Sequence, residues 1–231
     1  MKKPILFCLV LVVATSFAQT TVNPNNNNLN ALATYGPDGA NIGSSSIVIN
    51  PPKKINGSVH LFPSWENTAV FVMGGSENKF LLKNINYNIE RSAFESKIGR
   101  DSLFTFNFDN IERIIVNGRK FENKYLATER GNTIFEVLFD DGNVALLKRH
   151  FLVIKEGSDN PMVVRPSKYV QKASYYVKKG TYIKPFAFKK KNILTLLKGK
   201  NKAIDAYAKE NQLSFKKEAD VIKMLNGVSL N

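Results

Sequence analysis

The stretch Ile114-Ile115-Val116-Asn117-Gly118-Arg119-Lys120-Phe121 decides the fold class. Its two apolar ends flank Asn117-Gly118, a dipeptide that readily takes the positive φ angles of a type I′ turn. The stretch therefore predicts a tight β-hairpin. The preceding run, Ser102 to Phe108, alternates in polarity with the period of a β-strand. Strand is thus the dominant signal in this part of the chain.

Two further hairpins are predicted downstream, each with turn residues between two apolar runs. The first turns at Asp141-Gly142 and the second near Lys179-Gly180. Successive strands joined by tight turns are antiparallel, because parallel strands need long crossover connections. The sequence therefore predicts an antiparallel β-meander. Its expected strands are 68–72, 79–82, 102–108, 114–116, 119–121, 133–139, 144–153, 168–177 and 182–188.

The last forty residues change to a helical period, with apolar residues three and four positions apart. We expect helices over residues 192–197, 202–210 and 217–225, with Asn226-Gly227 as the stop of the last one. Each is too short to persist alone, so the three must pack on one another or on the sheet. The predicted fold class is α+β, with antiparallel hairpins first and a small C-terminal cluster of short helices last.

The N-terminus has the three-part pattern of a secretory signal peptide. Lys2 and Lys3 precede an apolar run of about a dozen residues, which is too short to span a bilayer. We predict cleavage after Ala18, export to the periplasm or the outside, and no transmembrane segment after cleavage. The predicted organisation is a signal peptide at 1–18, a flexible Asn/Gly/Ser-rich leader at 19–52, an antiparallel β domain at 53–190 and a basic helical tail packed on the sheet at 191–231.

The charge of the chain is one-sided. The 231 residues have a formal net charge of +14. Residues 142–231 hold nineteen lysine and arginine residues against six aspartate and glutamate residues, whereas residues 19–141 hold twelve against thirteen. A basic surface indicates an anionic partner without naming it. Cys8, the single cysteine, leaves with the signal peptide, which excludes a disulfide scaffold and a thiolate metal cluster.

We predict that the basic half binds an anionic glycan, a lipopolysaccharide or another envelope protein. A solvated basic surface without a specific ligand is the alternative reading of the same residues. Nucleic acid is disfavoured, because the protein is expected to be exported and seventeen of the nineteen cations are lysine rather than arginine. The candidate binding residues are Lys178, Lys179, Lys189, Lys190, Lys191, Lys216, Lys217 and Tyr176.

Catalytic signals are weak. His60 and His150 lie in different predicted strands without metal-ligand spacing, and Asp140-Asp141-Gly142 is typical of a hairpin turn. The sequence contains neither a nucleophile elbow nor a phosphate-binding loop. We therefore predict a non-enzymatic protein with no cofactor, no metal and no catalytic residue. The alternatives are an envelope hydrolase that uses scattered carboxylates and His150, and a structural interaction module with an exposed strand edge or apolar surface.

Several stretches of the mature chain carry a resemblance to a known family: Gly57 to Phe62, Trp65, Leu82 to Ile89, Phe94-Glu95, Ile111 to Phe121, Leu194 to Leu213 and Phe215 to Glu218. Together they resemble an uncharacterised family of secreted proteins from Bacteroidota-type bacteria. The resemblance spans about residues 50–230 and implies secretion. The family has no assigned reaction or catalytic residue, so the resemblance assigns no site here.

Overall fold

A computed structural model describes the backbone of residues 43–47 and, with side chains, residues 55–75, 78–99, 102–158 and 165–229. The predicted signal peptide, residues 1–18, lies outside the described residues. So does the predicted leader, residues 19–52, apart from residues 43–47, which form a strand.

The described residues form two β-sheets. The first strands are β1 (Gly43–Ile47), β2 (Ile55–Asn56), β3 (Thr68–Met73), β4 (Lys79–Lys83), β5 (Ile85–Asn88), β6 (Ala93–Lys97) and β7 (Ser102–Phe106). The later strands are β8 (Ile111–Val116), β9 (Arg119–Leu126), β10 (Gly131–Asp140), β11 (Val144–Lys155), β12 (Ser167–Lys179) and β13 (Tyr182–Phe186).

The smaller sheet has the strand order β1-β7-β6-β5. The larger sheet has the order β13-β12-β11-β10-β9-β8-β3-β4, and β2 pairs with β12 in parallel. The described part of the chain is mostly β-sheet with three short helices near its C-terminal end, which confirms the α+β class in broad terms. A continuous meander is not confirmed, because β5, β6 and β7 belong to the smaller sheet and the chain then returns to the larger sheet, where β8 pairs with β3.

The turn chemistry explains why the later strands pair as they do. Asn117 and Gly118 have φ angles of +50° and +78°, and the register pairs Val116 with Arg119 across a two-residue loop. At the next hairpin, backbone N–H groups donate to the carboxylates of Asp140 and Asp141. These two aspartates are therefore turn residues, as their position before Gly142 predicts.

The three helices are α1 (Lys190–Leu194), α2 (Asn201–Glu210) and α3 (Glu218–Ser229). The predicted stop at Asn226-Gly227 is wrong, because α3 continues to Ser229. Gly227 instead allows a close helix contact, since an added Cβ would lie 2.5 Å from Cζ of Tyr207 on α2. Among the described residues, no helix has both the length and the apolar character needed to cross a membrane.

Two large apolar clusters lie on the sheets. The two-sheet core lies between the smaller sheet and strands β3, β8 and β9, and it includes Phe71, Tyr87, Phe94, Phe106, Ile114 and Phe121. The helix core lies between the three helices and strands β10 and β11, and it includes Phe139, Val144, Leu146, Ile193, Ile204 and Leu225. The helical tail is therefore packed on the sheet by apolar contacts, as short helices require.

Candidate functional site

A polar belt separates the two-sheet core from the helix core. Successive side chains of a strand point to opposite faces, so alternate residues of β11 share one face. On that face Val144 and Leu146 belong to the helix core, and Leu152 packs against the two-sheet core. Lys148 and His150 lie between them and form the belt with four side chains of other elements, Arg119, Glu136, Tyr175 and Glu218.

Glu136 on β10 is the centre of one end of the belt. Arg119 donates to both of its oxygens, each at 2.7 Å, and His150 Nε2 lies 2.7 Å from Oε2. The Arg119 guanidinium also lies 5.2 Å from the centre of the Phe62 ring. Burial by itself raises the pKa of Glu136, but the hydrogen bonds and charges of Arg119 and His150 outweigh it and hold the pKa at about 2. Glu136 is therefore a buried carboxylate that stays ionised.

Glu218 is the centre of the other end of the belt, where it fastens α3 to the sheet. Lys148 Nζ lies 3.0 Å from Oε1, and the Tyr175 hydroxyl donates to Oε2 at 2.6 Å. Burial and the Glu218 carboxylate both raise the pKa of Tyr175. Glu218 begins α3, where a negative charge also interacts favourably with the helix dipole. This end of the belt joins the helical tail to β11 and β12.

The belt brings His150 and a carboxylate together, which is the contact that the hydrolase alternative needs. The His150 and Glu136 side chains are only 7% and 8% exposed, however. A general base must reach a substrate proton within hydrogen-bond distance, directly or through one water. Both oxygens of Glu136 are already engaged by Arg119 and His150. The geometry is that of a structural ion cluster, and the hydrolase alternative stays a prediction.

His60 makes a second and separate histidine–glutamate pair. Its Nε2 lies 2.9 Å from Oε2 of Glu95, which is fully buried, and Asn88 donates to the other oxygen at 3.1 Å. The His60 ring packs edge-on against Trp65, with 4.7 Å between the ring centres. The two histidines thus have different carboxylate partners. Among the described residues, no three His, Cys, Asp or Glu side chains form a group that could hold a metal ion.

The predicted binding residues on β12 lie on both faces of the sheet. Lys178 and Lys179 are successive strand residues, so their side chains point to opposite faces. Tyr176 shares the face of Lys178, where its ring packs against Phe135 with 5.3 Å between the centres. The structure therefore separates Lys178 and Tyr176 from Lys179, which lies on the side of the helices.

The other predicted lysines flank the helices. Lys190 Nζ lies 2.5 Å from Oδ1 of Asp205 and 5.2 Å from the centre of the Phe215 ring. Hydrogen bonds from Lys190 and Lys209 lower the pKa of Asp205. The charge of Lys190 is thus compensated within the tail. The remaining predicted lysines are exposed around α1 and before α3, at Lys189, Lys191, Lys216 and Lys217.

Charge pairing differs between the two halves of the chain. Many cations in residues 55–141 contact a carboxylate; they are Arg91, Arg113, Arg119, Lys120 and Lys124. In residues 142–229, most of the nineteen cations have no carboxylate of the described residues within 4.0 Å. The exceptions are Lys148, Arg149, Lys190 and Lys209. The positive charge of the second half is therefore largely left for solvent or a partner.

Three lysines line a cavity of about 690 Å³ between the β10–β11 turn, the end of β12 and the loop from α1 to α2. They are Lys179, Lys198 and Lys200. Lys200 Nζ donates to the Val228 carbonyl at 2.7 Å, and Lys179 Nζ donates to the Thr195 carbonyl at 3.4 Å. These contacts hold two of the ammonium groups at the cavity wall. We call this site the lysine cavity.

Lys198 and Lys200 are not among the residues predicted from the sequence as a binding site. Their separation from Lys179 by about twenty residues hides the contact, because only the packing of the tail on the sheet brings them together. The Lys198-Gly199-Lys200 motif is the sequence feature that indicates this site. Gly199 has a φ of +78°, a left-handed conformation that favours glycine, and this turn lies at the cavity.

Comparison with known proteins returned no relative on which function could be based: no family model, no curated protein and no solved structure matches the chain.

Proposed function

We propose that this chain is an exported, non-enzymatic accessory or binding protein whose basic C-terminal half contacts an anionic component of the cell envelope. The component we favour is a lipopolysaccharide or an acidic glycan. Export is proposed from the signal-peptide pattern of residues 1–18. The binding surface is proposed from the second half, residues 142–229.

The unbalanced charge of the second half is the observation that carries the proposal. Lys191, Lys216 and Lys217 are exposed and have no carboxylate of the described residues within 4.0 Å. A lysine near an anionic surface contributes about 1 kcal/mol to binding, and this contribution falls as salt shortens the Debye length. Several such lysines in the second half provide an affinity for an anionic surface that the nearly neutral first half does not provide.

The state of the buried carboxylates supports a non-enzymatic role. Glu136 is engaged on both oxygens, and Glu95 accepts from His60 on one oxygen and from Asn88 on the other. Both carboxylates connect strands and thereby stabilise the sheet. A carboxylate with both oxygens engaged in this way stabilises the fold and is poorly placed to accept a proton from a substrate.

The test measures binding of the full chain to vesicles that contain lipopolysaccharide, over a series of salt concentrations. We compare the unchanged protein with the triple variant Lys191→Gln, Lys216→Gln and Lys217→Gln. The matched control removes the same number of charges from exposed positions of the first half, at Lys79, Lys97 and Arg130.

The first triple variant is expected to weaken vesicle binding by roughly a hundredfold at low salt, because three lysines at about 1 kcal/mol each contribute about 3 kcal/mol. The control is expected to change it by less than about threefold, since its side chains lie in the half whose positive and negative charges nearly cancel. Equal losses in the two variants would overturn the proposal, and so would binding of the unchanged protein that does not respond to salt.

A further inference from the structure

We infer that the lysine cavity is a binding site for a phosphomonoester, the group that ends a phosphorylated sugar or a phosphatidic acid. This inference deepens the proposed function and rests on it, because it names the chemistry of the anion that the basic half binds. The size of the cavity, the positive charge of its wall and the lysines in that wall support it.

The lysine cavity has the size and mixed lining of a small-molecule site. Its volume of about 690 Å³ falls within the range of roughly 300 to 1,000 Å³ found for ligand pockets. Val144, Leu196 and Leu197 provide buried apolar surface, with exposures of 8%, 3% and 4%. Asn143 and Thr195 add neutral polar groups to the same wall. A phosphate with a short organic group attached could place its phosphate against the polar groups of the wall and its organic group against the apolar residues.

The charge of the wall is positive. Lys179, Lys198 and Lys200 face one acidic residue, Asp141, among the described residues that line the cavity. Oδ1 of Asp141 accepts hydrogen bonds from the backbone N–H groups of Asn143 and Val144, with N···O distances of 2.9 and 2.7 Å. Asp141 therefore serves the hairpin turn, and none of the three lysines has a carboxylate of the described residues within 4.0 Å. The wall retains a positive charge that an anion can neutralise.

Two of the three ammonium groups are also held in place. A lysine ammonium has three donors, and the Val228 and Thr195 carbonyls each take one from Lys200 and Lys179. Two donors of each group remain for a ligand. Because part of the side-chain entropy is already lost on folding, a bound anion loses less affinity to ordering these lysines.

The number of charges favours a phosphomonoester over a carboxylate. A phosphomonoester carries about −1.5 to −2 charges near neutral pH and offers three acceptor oxygens. Three separate ammonium groups match this charge and these oxygens, since lysine binds phosphate as a point charge. The planar fork that recognises a carboxylate in two places belongs to arginine. Among the described residues, the cavity wall contains lysines and no arginine.

The test uses the full chain and two probes that share the phosphomonoester. The first probe is glycerol 3-phosphate, measured by isothermal titration calorimetry with glycerol as the neutral reference. The second is a phosphatidylcholine vesicle that contains phosphatidic acid. The cavity variant is Lys179→Gln with Lys198→Gln. The matched control is Lys202→Gln with Lys223→Gln, two exposed lysines outside the cavity lining. Thermal unfolding verifies that each variant is folded.

Saturable binding of glycerol 3-phosphate by the unchanged protein is expected, weakened at least tenfold in the cavity variant and less than twofold in the control. A parallel loss of vesicle binding assigns a lipid headgroup as the source of the phosphate, whereas a loss with the soluble probe alone assigns a soluble ligand. No saturable binding of either probe by the unchanged protein, or equal losses in the two variants, would overturn the inference.

The failure of this inference differs from the failure of the proposed function. The inference that the lysine cavity binds a phosphomonoester is overturned when the cavity variant binds both probes like the unchanged protein. The proposed function survives that result when Lys191, Lys216 and Lys217 still control binding to lipopolysaccharide vesicles. The proposed function is wrong when the cavity variant loses glycerol 3-phosphate binding but neither set of three substitutions changes vesicle binding.

Discussion

The two halves of this molecule use their charges in opposite ways. In residues 55–141 the cations are balanced by carboxylates, and one partly buried pair, Arg119 with Glu136, lies within the sheet. In residues 142–229 the cations outnumber the carboxylates about threefold and lie mostly on the surface. The difference teaches that the net charge of +14 reflects the surface of the later strands and the helical tail, while charge in the first half serves the fold.

The polar belt is where these two uses meet. Glu136 comes from the first half, His150 and Lys148 from the second, and Glu218 from the helical tail. Each carboxylate of the belt has at least two partners. Removal of a charge should therefore lower stability in the belt and the first half, but weaken binding rather than stability at the exposed lysines of the second half outside the belt.

The largest expected effect is the loss of the Glu136 charge. We expect Glu136→Gln to lower the free energy of unfolding by about 3 to 5 kcal/mol, because it leaves Arg119 without its partner in a partly buried site. Lys217→Gln, which removes one exposed charge from the second half, is the matched control and is expected to change it by less than about 0.5 kcal/mol. Urea unfolding measures both. Equal decreases in the free energy of unfolding would contradict the distinction between the two halves.

A smaller effect is expected from acid. The pKa of Glu136 is about 2 in the folded protein and 4.5 ordinarily, so the unfolded chain binds the proton first as the pH falls. The stability that Glu136 contributes is therefore present above pH 4.5 and is lost as the pH falls through 2. The loss should be on the order of 3 kcal/mol, and Glu136→Gln should lack this part of it. Urea unfolding at pH 6, 4.5 and 2.5 provides the measurement. An identical pH dependence in both proteins would contradict the assignment.

Local sequence predicted the local structure well. Asn117-Gly118 and Asp141-Gly142 form the turns that their residue types favour, and the three helices lie close to the expected ranges. These features depend on backbone preferences and periodicity, which neighbouring residues determine. Gly227 is the informative exception. A glycine near a helix end reads as a stop, whereas here it allows the approach of Tyr207 from another helix.

The sites depend on contacts between residues far apart in the chain, and sequence alone did not reveal them. His150 and Glu136 are fourteen residues apart on paired strands, and the pairing register decides that their side chains meet. A bulge between Val137 and Phe139 changes that register within the same strand. The lysine cavity requires the tail to pack on the sheet. Composition predicted a basic half, but not which of its lysines share one wall.

The most direct test of the central claim is the location of the contact with the anionic partner. Acylation of lysine amines, followed by mass spectrometry, measures the accessibility of each lysine in the full chain with and without lipopolysaccharide vesicles. We predict protection of Lys189, Lys191, Lys216 and Lys217 when the vesicles are present, and unchanged labelling of Lys79 and Lys97. Protection of Lys79 and Lys97 with the four tail lysines unchanged, or equal protection of both groups, would contradict the account.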